Sequence, residues 1–129
     1  MKFNMFLKSI MAISMLSIIT YAAKGEPVVK YSPVGTWEYS VPGVPEGYDT
    51  GIMVITENED GLVVEVGSSR EYLMKAEKVE FDNTKLSFVV YVEYEEIRIS
   101  GEFDKEKFAG KVSYVEGEFD MTATKLSES

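Results

Sequence analysis

Chemistry in this chain would have to come from carboxylates, phenols and amines. The 129 residues include 22 Asp and Glu, 13 Lys and Arg and 8 Tyr, with no His and no Cys. The missing His removes the commonest general base and the commonest metal ligand. The missing Cys removes thiolate nucleophiles, disulfides and zinc sites built on Cys. No Ser has a His to activate it, and no motif supports a Ser-Lys pair. A glycosidase needs two carboxyls at a set separation, and no spacing here marks such a pair. Two acidic turns offer hard oxygens of the kind Ca²⁺ takes: Asn58, Glu59 and Asp60, and Glu93, Glu95 and Glu96. Neither follows a Ca²⁺-loop pattern, so both read as solvated turns. No Gly-rich loop follows a strand and opens a helix, so no phosphate cradle is expected. The chain therefore reads as a non-enzyme with no catalytic residue, no metal site and no cofactor. Any catalysis would have to use Glu, Asp, Tyr or Lys in an apolar pocket. The net charge of −9 argues against a nucleic-acid partner, whose phosphates need clustered Lys and Arg.

The aromatic and aliphatic residues are more informative. One Trp, 8 Tyr and 7 Phe are present, many at alternating positions. Trp37, Tyr39, Met53, Ile55, Phe88, Val90, Ile97, Ile99, Phe119 and Met121 fall on strand faces, and Tyr48 lies in a loop. These eleven are the candidate ligand-binding residues, as the lining of an apolar cavity. The competing reading of the same residues is plain core packing.

Strands must position them. Period-2 alternation dominates after residue 33, and helical periodicity is almost absent. Strands are expected over 35–41, 51–57, 62–66, 71–81, 86–94, 96–103, 108–115 and 118–125. The segment 71–81 is irregular: Leu73, Val79 and Phe81 share one parity, and Tyr72, Met74 and Ala76 the other. One extra residue swaps the faces of a strand, so a bulge is expected near Ala76. Turn chemistry at Asp60-Gly61, Asp82-Asn83, Asp104-Lys105 and Glu116-Gly117 separates consecutive strands. The segment 93–96 must turn without a glycine. Eight strands joined this way predict an all-β fold, a single eight-stranded antiparallel up-and-down barrel. Closure pairs the first strand with the last and removes both edges. A two-sheet sandwich is the main competitor. The loop 42–48, with two prolines and two glycines, is expected to arch over one open end.

The N-terminal residues read differently. Lys2 and Lys8 form a basic start. Residues 9–23 are an uncharged stretch of 15, short of the roughly 20 needed to span a bilayer. Thr20-Tyr21-Ala22 supplies small residues at a cleavage site. Residues 1–22 are therefore expected to be a secretory signal peptide, 23–33 a leader segment, 34–126 the barrel domain and 127–129 a tail. The protein is expected to be exported, to the periplasm or outside the cell, with no lipoprotein anchor and no membrane span after cleavage.

Gly35-Thr36-Trp37 at the start of the first strand, with Thr122-Ala123-Thr124-Lys125 closing the last, resembles the calycins: lipocalins, fatty-acid-binding proteins and avidin-like barrels. The resemblance implies that Trp37 plugs one end of the barrel and that a basic side chain of the last strand packs over it. With the Pro-rich loop after the first strand and the final Gly-x-Phe-x-x-Thr-Ala-Thr-Lys, the chain is similar to small exported calycin-like β-barrel proteins of Bacteroidetes. It has Lys125 where lipocalins carry Arg, and it lacks their C-terminal helix and disulfide. Two functions remain open. One is an exported barrel holding a small apolar or amphipathic ligand at one end. The other is a non-catalytic interaction protein with a filled barrel, docking on an envelope or secreted protein through its outer surface. Tyr91 and Val89, on the outer face of the fifth strand, are the candidate outer patch.

Overall fold

A computed structural model describes residues 30–127. The expected signal peptide and most of the leader lie outside the described residues. Nine strands follow one another: β1 (Gly35–Ser40), β2 (Thr50–Asn58), β3 (Gly61–Gly67), β4 (Leu73–Lys75), β5 (Glu77–Asp82), β6 (Lys85–Val92), β7 (Glu95–Asp104), β8 (Lys107–Tyr114) and β9 (Gly117–Lys125). All neighbours are antiparallel, and the sheet order is β4-β3-β2-β1-β9-β8-β7-β6-β5. The first strand pairs with the last, from Trp37 opposite Lys125 to Ser40 opposite Thr122. The result is a nearly closed up-and-down barrel. Among the described residues no helix is long and apolar enough to cross a membrane.

The expectation of eight strands is corrected to nine, because the segment expected as one strand over 71–81 is broken at Ala76. β4 pairs with β3, and the Ala76 N–H extends that ladder by donating to the Val64 carbonyl at 2.8 Å. At Glu77 the chain changes partner and pairs with Val89 on β6. The register then slips between Glu77 and Glu80, where Lys78 takes φ 53°. That extra residue restores the apolar side chains to the interior. Ala76 belongs to the core before the slip, and Val79 and Phe81 pack on it after the slip. One stretch of chain thus stitches the two ends of the sheet together, half of it to each.

Alternation decides what faces inward. On β6, Leu86, Phe88 and Val90 are buried in the core. On β9, Met121 and Ala123 do the same, and Thr122 and Thr124 face out. One end of the barrel is packed with aromatic rings. Phe103 lies 4.8 Å from Trp37, 4.8 Å from Phe108, 5.6 Å from Tyr31 and 6.2 Å from Phe81, centroid to centroid. Such tilted contacts add to the area the rings bury. The Trp37 indole N–H donates to the Pro33 carbonyl at 2.9 Å, and the Tyr31 hydroxyl donates to the Lys105 carbonyl. The end of the leader therefore contributes to this seal. Gly101 leaves room for it: a Cβ there would lie 2.5 Å from Cζ of Phe108.

The Gly-x-Trp pattern has a local cause. Gly35 has φ +148°, and a Cβ on it would lie 2.6 Å from Cε of Lys125. The Lys125 stem fills the space above Gly35 while the residue itself sits opposite Trp37. The turn without a glycine is also explained. Glu93 and Tyr94 both take positive φ, 50° and 71°, as a two-residue hairpin turn of the right twist requires.

Candidate functional site

The other end of the barrel is not filled. A cavity of about 750 Å³ opens there. Its floor is made by Phe88, Ile99 and Met121, all buried. Its walls carry Tyr39 from β1, Val66 from β3, Met74 from β4, Val90 and Val92 from β6, Ile97 from β7, Val112 and Tyr114 from β8 and Phe119 from β9. Tyr114 and Phe119 stack with centroids 5.6 Å apart. These positions share the inward parity of their strands, so the cavity continues the core rather than notching the surface.

The loop 42–48 lies across the mouth and supplies Val44, Pro45 and Tyr48 to the lining. Its ends are tied by the Val41 N–H donating to the Asp49 carbonyl at 2.7 Å, and its turn by the Tyr48 N–H donating to the Pro45 carbonyl at 3.1 Å. Its tip is tied to the other side of the barrel. The Tyr48 hydroxyl donates to a Glu93 carboxylate oxygen at 2.9 Å. In the strand order, the β1–β2 loop and the β6–β7 turn stand on opposite walls, so this bond spans the mouth. That bond, and the Glu93 charge beside it, raise the Tyr48 pKa above its ordinary value.

Polar groups in the lining are few. Glu93, Glu95 and Glu116 stand at the mouth. The Tyr39 hydroxyl lies inside, over Gly51, where a Cβ would be 2.6 Å from Oη. Burial raises the Tyr39 pKa. The acidic turn is divided by strand parity. Glu95 joins the cavity lining, whereas Glu96 turns outward to Arg98 at 2.6 Å and accepts from the Tyr91 hydroxyl at 3.4 Å. No group of three or more metal-binding side chains is gathered among the described residues.

Of the eleven residues expected at the site, the structure brings eight to the cavity: Tyr39, Tyr48, Phe88, Val90, Ile97, Ile99, Phe119 and Met121. It places Trp37, Met53 and Ile55 elsewhere, fully buried in the packed half. Parity says which face a residue is on but not how far along the barrel axis it sits. Val92, Val112 and Tyr114 have the same inward parity as their chosen neighbours and were legible by that signal. Met74 was hidden by the break at Ala76. The expected outer patch is not there as drawn: Tyr91 is exposed, but Val89 is only 3% exposed.

A second depression, of about 590 Å³, crosses β5 to β8. It is rimmed by Glu80, Asp82, Lys85, Glu102 and Lys111, which are charged side chains on outward positions. Its bed is made largely of small residues, Ser87, Ser100, Gly101, Ala109 and Gly110, on adjacent strands.

Fold and cavity together define a nearly closed antiparallel up-and-down barrel, sealed at one end and hollow at the other. No family model matches the chain, and no curated protein matches it. The chain is similar to two crystal structures of the fluorescent protein UnaG. One is of a single-site mutant, with 15% identity, a TM-score of 0.48, and coverage of 74% of this chain and 97% of that one. The other is of the wild type, with 15% identity, a TM-score of 0.47, and coverage of 73% and 97%.

Proposed function

We propose that the protein is a non-catalytic, exported binding barrel that holds one small apolar or amphipathic molecule beneath the loop 42–48. One observation carries this reading: the unfilled apolar cavity of about 750 Å³. Pockets for small ligands run from about 300 to 1,000 Å³ and are mostly apolar with a few placed polar groups. The lining is largely apolar and open at the mouth, so an apolar ligand body placed there exchanges contact with water for contact with side chains. Export, as in the small Bacteroidetes barrels that the sequence resembles, rests on residues 1–22.

Nile red, a neutral dye that brightens in apolar surroundings, tests the binding. The wild type is expected to give saturable, stoichiometric enhancement. Ile97→Trp, which narrows the cavity from a half-buried wall position, is expected to weaken binding severalfold with little change in stability. Unsaturable enhancement, or equal binding by the variant, would remove the proposal. Export is tested by the intact mass of protein recovered from the cell envelope, expected to lack residues 1–22. Retention of the full N-terminus there would count against it.

Partner docking is a second reading. It is supported by three exposed apolar side chains on connections at the hollow end: Tyr72, Tyr94 and Val115. Cross-linking in cells that returns only monomer would dismiss it.

A further inference from the structure

The reading of the cavity as a binding site can be taken to the charge of its ligand. We infer that the cavity selects a cationic amphiphile, apolar body inward and positive head group at the mouth, and discriminates against an anionic one of the same chain. The inference rests on the proposed binding function. Its basis is the pairing of an apolar interior with a mouth of one sign.

Three carboxylates, Glu93, Glu95 and Glu116, line the mouth, and among the described residues no Lys or Arg lines any part of the cavity. The basic residues next in sequence to lining residues, Lys75, Arg98 and Lys111, all lie on exposed, outward positions, and two of them are engaged. Arg98 pairs with Glu96 at 2.6 Å. Lys111 pairs with Asp120. Arg70 donates to the Thr36 hydroxyl at 3.0 Å. An anionic head at the mouth would meet like charge. Driven inward, it would meet Phe88, Ile99 and Met121 with no cation to pair it, which is costly for a desolvated charge. Reversed entry therefore does not rescue the anion. A cationic head left at the mouth keeps part of its hydration, and up to three carboxylates attract it. The Tyr48–Glu93 bond uses one of Glu93's oxygens and leaves the other free. A neutral head is indifferent to the mouth and serves as the reference.

The test is calorimetric titration of the purified protein with three ligands of equal chain length below their aggregation limits: dodecyltrimethylammonium, dodecanol and dodecanoate. At low ionic strength the cation is expected to bind about tenfold or more tighter than the anion, with the alcohol between them, from several charge contacts each worth a few-fold near a wet surface. The ratio is expected to shrink as salt is added. Combined Glu93→Gln, Glu95→Gln and Glu116→Gln is expected to bring cation and anion within about threefold of each other, because the charge contacts are gone. Dodecanol is titrated into the same variant as the reference against which both charged ligands are read, so a change in the cavity common to all three ligands cancels. The alcohol also reports that the variant is folded. Equal binding of the three ligands, tighter binding of the anion, or a cation preference that survives the triple variant would overturn the inference while leaving a binding barrel. Binding of none of the three would remove the binding function itself, and this inference with it.

Discussion

The two ends of the barrel are built from the same alternating strands and differ in almost everything else. At the sealed end the turns are two residues long and polar: Glu59-Asp60, Asn83-Thr84 and Lys105-Glu106. Inside it, Trp37, Phe103 and Phe108 fill the lumen ring against ring. At the hollow end the connections include a nine-residue span over 41–49, and the exposed side chains are Tyr48, Tyr72, Tyr94 and Val115. Inside it the lumen is left open above Phe88, Ile99 and Met121. The difference shows how a small barrel can divide its labour along its axis. The filled half holds most of the large fully buried side chains, and the other half keeps a largely apolar lumen open to its mouth.

The largest expected effect tests that division directly. Phe103→Ala removes the ring that four other aromatics touch, and it should cost about 3–5 kcal/mol. Phe119→Ala, on a half-buried wall of the cavity, should cost about 1 kcal/mol. Urea denaturation of the two variants measures both. Equal losses would mean that stability is spread evenly and that the contrast between the ends is only one of shape.

Glycines sharpen the same comparison at the next size of effect. Gly35 at the sealed end and Gly47 in the mouth loop both have positive φ, +148° and +100°. An added Cβ at Gly47 meets nothing, whereas at Gly35 it meets the Lys125 stem. Gly35→Ala should therefore cost about 1–3 kcal/mol, backbone strain plus displacement of that stem, and Gly47→Ala should cost less. Adding Lys125→Ala to Gly35→Ala isolates the steric part. If it restores nothing, strain alone explains the Gly-x-Trp pattern.

The legible part of this molecule was the part set by period 2. The parity of Leu86, Phe88 and Val90, or of Ile97, Ile99 and Phe103, assigns an interior face without reference to any distant residue. The parity break between Ala76 and Val79 was legible too, as a bulge. Its consequence was not, because a local pattern does not reveal that the chain also changes partner from β3 to β6. Hence eight strands became nine. The site was half legible for a related reason. Met53 and Ile55 share the inward parity of true lining residues, but height along the barrel depends on strand tilt and on where the aromatic plug ends, which are long-range facts. The acidic turn at 93–96 was visible as charge, and the parity that sends Ile97 inward also separates Glu95, in the cavity lining, from Glu96, which pairs with Arg98.

Alkaline pH should separate the ends by mechanism, with a modest effect. Tyr31 at the sealed end is raised first by burial and then by the charges of Glu106 and Asp104. Tyr39 in the cavity is raised by burial alone. A phenol whose folded pKa exceeds its unfolded value of 10.0 binds its proton more tightly in the native state. Its contribution is then fully present below that value and is lost as pH rises through the folded pKa. Thermal unfolding above pH 10 should therefore show falling stability, with a shallower fall in Tyr31→Phe and in Tyr39→Phe. Added salt should weaken the Tyr31 part, which includes charge repulsion, and spare the Tyr39 part. Equal sensitivity to salt would indicate that the two hydroxyls sit in similar fields and that the ends do not differ in this respect.

The smallest effect on stability should carry the clearest effect on exchange. Tyr48→Phe keeps the ring that contributes to the cavity lining and deletes only the hydroxyl that reaches Glu93 across the mouth. Tyr48 is half exposed, and a single exposed hydrogen bond contributes little, so unfolding should change by less than about 0.5 kcal/mol. On the proposed function, release of a bound ligand is a different matter, because the loop 42–48 lies across part of the mouth and its tip is held there by this bond. With its tip untied, the dissociation and association rates of Nile red should both rise about threefold or more with little change in affinity, since one loop gates entry and exit alike. Stopped-flow displacement by excess dodecanol reads the dissociation rate directly. An unchanged rate would place the exit elsewhere, and the seam where the chain passes from β4 to β5 beside Met74 would then be the next wall to open by substitution.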